Sequence, residues 1–93
     1  MDISVIIPLF NEEESLGELT SRVTEELRKA GKEAEIIFVD DGSTDGSLAK
    51  VKELRRTYKL IKILSFRRNF GKSAALSEGF KRASGDVVIT MDA

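Results

Sequence analysis

Residues 36–45 read Ile36-Ile37-Phe38-Val39-Asp40-Asp41-Gly42-Ser43-Thr44-Asp45, and this stretch decides the fold. Its unbroken apolar run is typical of a strand that is buried on both faces in a parallel sheet. Gly42 ends the strand, and the hydroxyls and carboxylate that follow favour a turn and a helix start. Ligands of open α/β sheets bind beyond the carboxyl ends of the strands, where Asp40 and Asp41 lie. The alternative is that Asp41 and Asp45 only close a turn and cap a helix.

Outward from this strand, the hydrophobic pattern predicts strands and helices in alternation. Apolar, β-branched runs indicate strands over residues 3–8, 35–40, 60–66 and 86–91. Helical spacing of apolar residues indicates helices near residues 15–30, 47–58 and 73–83. Such a βαβαβαβ order favours parallel strands joined by right-handed crossovers, in one α/β domain over residues 1–93.

Local signals mark the ends and the inner faces of the helices. Ser15 with Glu18 fits a capping box at the start of the first helix, and Gly31 is expected to end it. The third helix should turn a small-residue face inward, with Gly79 allowing close packing. The inward positions predicted for that helix are Ala75, Leu76, Gly79, Phe80 and Ala83.

The composition excludes several kinds of site. The 93 residues are 41% hydrophobic and 33% charged, which is ordinary for a globular domain. The chain has no Cys and no His, so it has no disulfide, no thiolate metal site and no histidine base. A metal ion would have to be held by oxygen, which favours Mg²⁺ or Mn²⁺. There is no apolar run of the roughly 20 residues that span a bilayer and no signal peptide, so we expect a cytoplasmic chain.

Two phosphate-binding motifs can be tested directly. The run Gly71-Lys72-Ser73 resembles the end of a P-loop, but Phe66 stands where that motif needs its first glycine. Gly42 and Gly46 do not have the GxGxxG spacing of a dinucleotide fingerprint. Both motifs are therefore rejected.

Carboxylates follow three of the predicted strands. Glu12 comes after the first strand, Asp40 and Asp41 after the second, and Asp92 after the fourth. Packing alone would favour apolar or capping residues at these positions. Clustered carboxylates without His or Cys suit a hard divalent cation that bridges a diphosphate, and a carboxylate can also accept hydrogen bonds from a base or a ribose. The sequence therefore predicts nucleotide-diphosphate chemistry at this edge.

Four ordered blocks, spread over the whole chain, resemble family 2 glycosyltransferases. They are VIIPLFNEE at 5–13, IFVDDGSTD at 37–45, RNFGK at 68–72 with AAL at 74–76, and GDVVITMDA at 85–93. Within that family the chain is most similar to the branch of dolichyl-phosphate mannose synthases and bacterial polyprenyl-phosphate glucosyl- or aminoarabinosyltransferases. The ordered set is far more specific than any single block.

The resemblance implies the GT-A fold, a Rossmann-like sheet with strand order 3-2-1-4. It also implies an inverting transfer of sugar from a UDP- or GDP-linked donor to polyprenyl or dolichyl phosphate, at the cytoplasmic face of a membrane. A soluble or polysaccharide hydroxyl acceptor is the alternative, and nucleic acid is not an expected partner. Because the chain stops just after the fourth strand, we expect it to be the N-terminal part of a larger catalytic domain and inactive alone.

By motif matching, the resemblance also implies a role for each site residue. The residues expected to line the nucleotide are Pro8, Phe10, Asn11 and Glu12, with Val39 and Asp41 holding the base. Asp40 would lie near the ribose or support the loop. Asp92 and Ala93 begin the Asp-x-Asp motif, so Asp92 is the expected catalytic residue and Mg²⁺ or Mn²⁺ ligand. The second acid of that motif would be residue 94, which lies beyond this sequence.

The predicted strand order leaves the fourth strand at an edge of the sheet. Residues 87–91 of this strand include no charged side chain and no Pro. Its apolar side chains are those of Val87, Val88, Ile89 and Met91. An uncharged apolar edge is a template for another chain. We therefore expect this chain to self-associate, most simply as a two-fold dimer that pairs fourth strands or the surfaces beside them.

Overall fold

The computed structural model describes all 93 residues as one α/β unit in which strands and helices alternate. The elements are β1 (Ile3–Leu9), α1 (Leu16–Ala30), β2 (Ala34–Asp40), α2 (Ser47–Thr57), β3 (Ile61–Ser65), α3 (Lys72–Arg82) and β4 (Val87–Thr90). All strand pairs are parallel, and the order β3-β2-β1-β4 confirms the predicted topology. None of the three helices is long and apolar enough to cross a membrane.

The central strands β1 and β2 are buried on both faces, as their apolar runs predicted. On one face, residues of both strands pack with α1 and α2 in a cluster that includes Ile7, Phe38, Leu16 and Val51. On the other face, Ile6, Ile37 and Val39 pack against Ala75 of α3. The sheet is therefore the middle layer of three, and each fully buried aliphatic side chain contributes about 1.5–3 kcal/mol.

Close packing of α3 confirms one prediction and corrects another. A Cβ added to Gly79 would lie 2.5 Å from Cγ2 of Ile6, so the helix can approach the sheet only because this residue is glycine. The prediction that Phe80 points inward is wrong, since 51% of this residue is exposed. Ala75 and Gly79 are four residues apart and form the contact stripe, which leaves the next position on the flank of the helix.

The two ends of α1 differ in how well the sequence predicted them. The capping box is not formed: Ser15 has helical dihedral angles (φ −93°, ψ −14°), and its Oγ donates to the carbonyl of Glu12 at 3.1 Å. Glu18 instead forms an exposed ion pair with Arg22 at 2.7 Å. Gly31 ends the helix as predicted, with φ 66° in the left-handed region.

A buried polar cluster ties the strands together at their amino ends. The carboxylate of Glu35 accepts hydrogen bonds from Ser4 Oγ at 2.5 Å, from Ser84 N at 2.7 Å and from Lys62 Nζ. Ser4 Oγ in turn accepts from Gly85 N at 2.8 Å. Burial alone would raise the pKa of Glu35, but the bonds from Lys62, Ser4 and Ser84 outweigh it and hold the pKa below its ordinary value. This cluster joins β1, β2 and β3 to the turn before β4, on the side of the sheet opposite the carboxyl ends.

Candidate active site

A cleft lies at the carboxyl ends of β1 and β4, beside the end of β2. Its lining residues are Pro8, Leu9, Phe10, Glu12, Asp41, Lys72, Asp92 and Ala93. Six of the nine site residues expected from the sequence line it, and Asn11, Val39 and Asp40 do not. Carboxylates from three separate segments thus meet at one edge of the sheet, as a parallel topology with this strand order requires.

The segment that follows β1 supplies one side of the cleft. Leu9 still pairs with Asp40 in the sheet, and the chain leaves the sheet at Phe10, which is 43% exposed. Glu12 is placed by its backbone, whose N–H donates to Ser47 Oγ at the start of α2 at 2.9 Å. The backbone of Glu12 is therefore fixed to the start of α2, while its carboxylate accepts from Ser15 Oγ at 3.3 Å.

Asn11 joins two loops and does not line the cleft. Its Oδ1 accepts hydrogen bonds from the N–H groups of Thr44 at 2.8 Å and Asp45 at 3.2 Å, and its own N–H donates to Ser43 Oγ at 2.9 Å. This residue has φ 53°, a left-handed conformation that Asn tolerates better than most residues. Asn11 therefore fixes the loop after β1 to the loop after β2.

The end of β2 is occupied by residues with little exposed surface. Val39 is fully buried against α3, and Asp40 is 2% exposed. Asp40 Oδ1 accepts from Ser43 N at 3.1 Å, which fits the loop-supporting role foreseen for it. Asp45 Oδ1 accepts from Ser47 N at 2.9 Å at the start of α2, and hydrogen bonding by Ser47 holds the pKa of Asp45 below its ordinary value. Asp45 therefore accepts the first N–H of α2 from the position before the N-cap residue Gly46, and it is not itself the N-cap of this helix.

Asp41 lies beneath the loop that precedes α3. It is 4% exposed, and its two carboxylate oxygens accept from Phe70 N at 2.8 Å and from Gly71 N at 3.1 Å. A carboxylate offers about four acceptor positions, so acceptor capacity is left for a ligand in the cleft.

Lys72 is a cleft residue that sequence reasoning did not select. It is the first residue of α3, and its Nζ lies 2.5 Å from Oδ1 of Asp92. The sequence signal for it is the RNFGK block at 68–72, which ends on this lysine at the start of α3. An ammonium group among carboxylates gives the cleft a direct partner for a diphosphate.

The acidic residues of the cleft do not form a complete metal site by themselves. No three acidic side chains come close enough together to hold a metal ion by themselves. Mg²⁺ and similar ions are often bound through one or two carboxylates plus substrate phosphate oxygens. The exposed carboxylate of Asp92 fits that pattern, with the remaining ligands coming from a diphosphate and water.

The structure is an open parallel α/β sheet with a polar cleft at its carboxyl edge, which is where such sheets bind ligands. The sequence model described as glycosyl transferase family 2 matches residues 4–93, and the chain belongs to that family. This confirms the family that the four sequence blocks predicted.

Comparison with known proteins supports the same family. The chain is 47% identical over 93 residues to the undecaprenyl-phosphate 4-deoxy-4-formamido-L-arabinose transferase of Pectobacterium atrosepticum, covering 99% of this chain and 28% of that protein. It resembles the mannosyltransferase PcManGT from Pyrobaculum calidifontis, solved in complex with GDP-Man and Mn²⁺, with a TM-score of 0.85 and 28% identity over 97% of this chain and 26% of that one. S. aureus TarS 1-349 in complex with UDP gives a TM-score of 0.81 and 32% identity over 99% of this chain and 27% of that one.

These likenesses confirm the predicted α/β class and the GT-A fold. They also show that the chain spans only about 28% of the length of the curated relative it matches. What the whole protein does is therefore inferred below from the cleft and from these relatives.

Proposed function

We propose that this chain is the nucleotide-binding part of an inverting glycosyltransferase. In this proposal the whole protein transfers a sugar from a UDP- or GDP-linked donor to polyprenyl or dolichyl phosphate at the cytoplasmic face of a membrane. The observation that carries it is the cleft, in which Glu12, Asp41, Lys72 and Asp92 meet in a family 2 chain. Relatives solved with GDP-Man, UDP or UDP-GlcNAc support the donor class, and the undecaprenyl-phosphate transferase supports the acceptor class.

In this proposal, different residues of the cleft bind different parts of the donor. Pro8 and Phe10 offer an apolar surface to the nucleoside, and Asp41 accepts hydrogen bonds from the base. Lys72 and Asp92 face the diphosphate, Lys72 directly and Asp92 through Mg²⁺ or Mn²⁺. When bound, that ion neutralises the charge that develops on the departing nucleoside diphosphate.

The choice of acceptor decides whether a general base is needed. A lipid phosphate is already ionised at neutral pH, so it can attack without losing a proton to the protein. A sugar or polysaccharide hydroxyl needs a positioned base within hydrogen-bond reach. The cleft carboxylates are committed to the donor in this proposal, so a hydroxyl acceptor would need a base from outside residues 1–93.

The experiment uses the whole protein in which this chain occurs. Radiolabelled UDP- and GDP-sugars are offered with polyprenyl phosphate, with and without Mn²⁺, and the lipid-extractable label is counted. We expect metal-dependent label in the lipid fraction, and a loss of at least about 100-fold for Asp92→Asn, as for removal of other transition-state electrostatic contacts. Label that appears only on soluble sugars would exclude the lipid acceptor, and no transfer to any acceptor would exclude the activity.

A second candidate function concerns the 93 residues by themselves. Because no three acidic side chains form a metal site, we propose that this chain alone is a catalytically inactive nucleotide-binding half-domain. Calorimetry with UDP and GDP should show weak binding that depends little on Mn²⁺. Tight and strictly metal-dependent binding would contradict this and would mean that residues 1–93 contain a complete metal site.

We also propose that a second copy of the chain covers the β4 edge. Val87 is 55% and Ile89 40% exposed, although both belong to the sheet. Beside them runs an apolar groove between α1 and β4, formed by Val5, Leu19, Val23, Leu27, Ile89 and Met91, with Arg22 and Glu26 among its lining residues. Arg22 and Glu26 already form ion pairs on their own helix, with Glu18 and Lys29, so in this proposal the contact between copies is made by the apolar side chains of the groove and the edge.

A further inference from the structure

The loop at residues 66–71 rests directly on the turn that follows β2. A Cβ on Gly42 would lie 2.2 Å from the carbonyl carbon of Arg68 and 2.4 Å from the nitrogen of Asn69, so the two backbones touch at Gly42. Within the loop, the guanidinium of Arg68 lies 4.8 Å from the ring centroid of Phe70. The loop is thus held by contacts among its own side chains and by backbone contact with the turn that follows β2.

Asp41 fixes the end of this loop at the point where α3 begins. Each of its carboxylate oxygens accepts one backbone N–H, from Phe70 and from Gly71. These N–H groups lie at the amino end of α3, where the helix dipole also favours a negative charge. Because Asp41 is only 4% exposed, its loss would leave both N–H groups facing a small cavity instead of a carboxylate.

The next residue after Gly71 is Lys72, which carries its ammonium group to Asp92. The Asp41 carboxylate is therefore linked to Oδ1 of Asp92 in three steps: a hydrogen bond from Gly71 N, the peptide bond from Gly71 to Lys72, and the ion pair of Lys72 with Asp92. We infer that Asp41 is a positioning residue, which holds the start of α3 so that Lys72 reaches the cleft beside Asp92. This inference rests on the proposed function for its consequence in binding, because there Lys72 and Asp92 face the diphosphate.

The structural part of the inference is tested on the free chain, without any ligand. In Asp41→Ala, amide exchange followed by NMR should become at least about fivefold faster at Phe70 and Gly71, and the amide signals of Lys72 and Asp92 should shift. The control is Asp45→Ala, which removes a carboxylate from the start of α2 and should leave these four residues unchanged. Unchanged exchange at Phe70 and Gly71 in Asp41→Ala would overturn the inference.

Asp41→Asn covers the case in which the alanine variant does not fold. The asparagine side chain keeps one oxygen acceptor, so only one of the two amides should exchange faster. Protection of both amides at the wild-type level would show that the carboxylate does not hold the loop.

The binding part is tested by a double-mutant cycle with UDP and GDP as probes. If Asp41 acts through Lys72, Asp41→Ala combined with Lys72→Met should weaken binding at least about threefold less than the product of the two single effects. The control cycle pairs Asp41→Ala with Glu12→Gln, since Glu12 contacts the start of α2 and not α3, and its effects should multiply. Multiplicative effects in both cycles would overturn the positioning role. If the wild-type chain binds neither nucleotide, the proposal of a nucleotide-binding half-domain fails, and the amide exchange experiment alone decides the inference.

Discussion

Lys72 and Asp92 form an ion pair across the cleft, with Nζ 2.5 Å from Oδ1. The first begins α3 and the second follows β4, so the pair spans two segments that are twenty residues apart in the sequence. Both side chains are more than half exposed, so the pair contributes little to stability. In the proposed function the pair matters for its position, because a diphosphate with its cation would match both charges.

Lys72→Met should separate binding from stability. Removing the ammonium group should weaken UDP and GDP binding about tenfold, because a charge-assisted contact with the diphosphate is lost. The midpoint of thermal unfolding should stay within about 2 °C of wild type, as for other exposed charges. Lys81→Met, in the last turn of the same helix, is the control and should change neither quantity in calorimetry or in a melting experiment.

Asp41 and Asp45 should respond differently to alanine. Asp45 accepts the first N–H of α2, so Asp45→Ala should lower the melting temperature by a few degrees and leave nucleotide affinity nearly unchanged. Asp41→Ala should weaken affinity more than Asp45→Ala does, because Asp41 lines the cleft and holds the loop before Lys72. Calorimetry and thermal melts on both variants check this, and the reverse ranking of affinities would mean that the two roles have been exchanged.

Most of the fold could be predicted because it depends on patterns within single segments. The apolar run before Asp40 specified a strand buried on both faces, and Gly31 specified the end of α1. The strand order came from the family resemblance, and the sheet has that order. The error at Ser15 arose because a competing local turn with Glu12 takes its hydrogen bonds, and the error at Phe80 because tertiary packing at Ala75 and Gly79 sets the rotation of α3.

The candidate site was predictable only in outline. Motif matching named the right segments, but it did not tell which residues in them face the cleft, and three of the nine lie elsewhere. Val39 and Asp40 are buried because the end of β2 is covered on both faces, as its apolar run indicated, and motif matching did not take that burial into account. Lys72 was missed because its place in the cleft depends on the packing of α3 and on the loop held by Asp41.

Gly79→Ala should destabilise the protein although alanine favours helices. The new methyl group would lie 2.5 Å from Cγ2 of the fully buried Ile6, and such overpacking costs about 1–3 kcal/mol. Gly17→Ala is the matched control, since its methyl group would meet only the end of the Lys50 side chain, with Cε at 3.6 Å and Nζ at 3.9 Å. That variant should gain up to about 1 kcal/mol from helix propensity. Urea unfolding measures both, and stabilisation by Gly79→Ala would show that α3 can move away from β1 at little cost.

Glu35→Gln should reveal the pH dependence of the buried polar cluster. The folded-state pKa of Glu35 is lowered, so its contribution to stability is present above the ordinary pKa of 4.5 and is lost as pH falls through the folded-state value. At pH 7 the variant should lose about 1–3 kcal/mol, because buried donors lose a charged acceptor.

The difference from wild type should therefore shrink as the pH falls below about 4.5. Urea titrations between pH 3 and pH 7, at roughly unit spacing, follow this difference across the ordinary pKa range of glutamate. Glu53→Gln, which breaks only an exposed pair with Lys50, should stay within about 0.5 kcal/mol of wild type at every pH. A constant penalty for Glu35→Gln across the range would contradict the assigned role of the carboxylate charge.

The exposed β4 edge should make this chain self-associate. Val87 and Ile89 remain largely exposed, and each large aliphatic side chain gains about 1.5–3 kcal/mol on full burial. Sedimentation at micromolar concentration should give a mass above one chain, and Ile89→Lys should reduce it by placing a charge on the edge. Ala49→Lys adds the same charge on the exposed face of α2 and should leave the association unchanged. If the wild-type chain sediments as a monomer at high micromolar concentration, the β4 edge is not a pairing surface. The apolar groove between α1 and β4 then remains exposed to water.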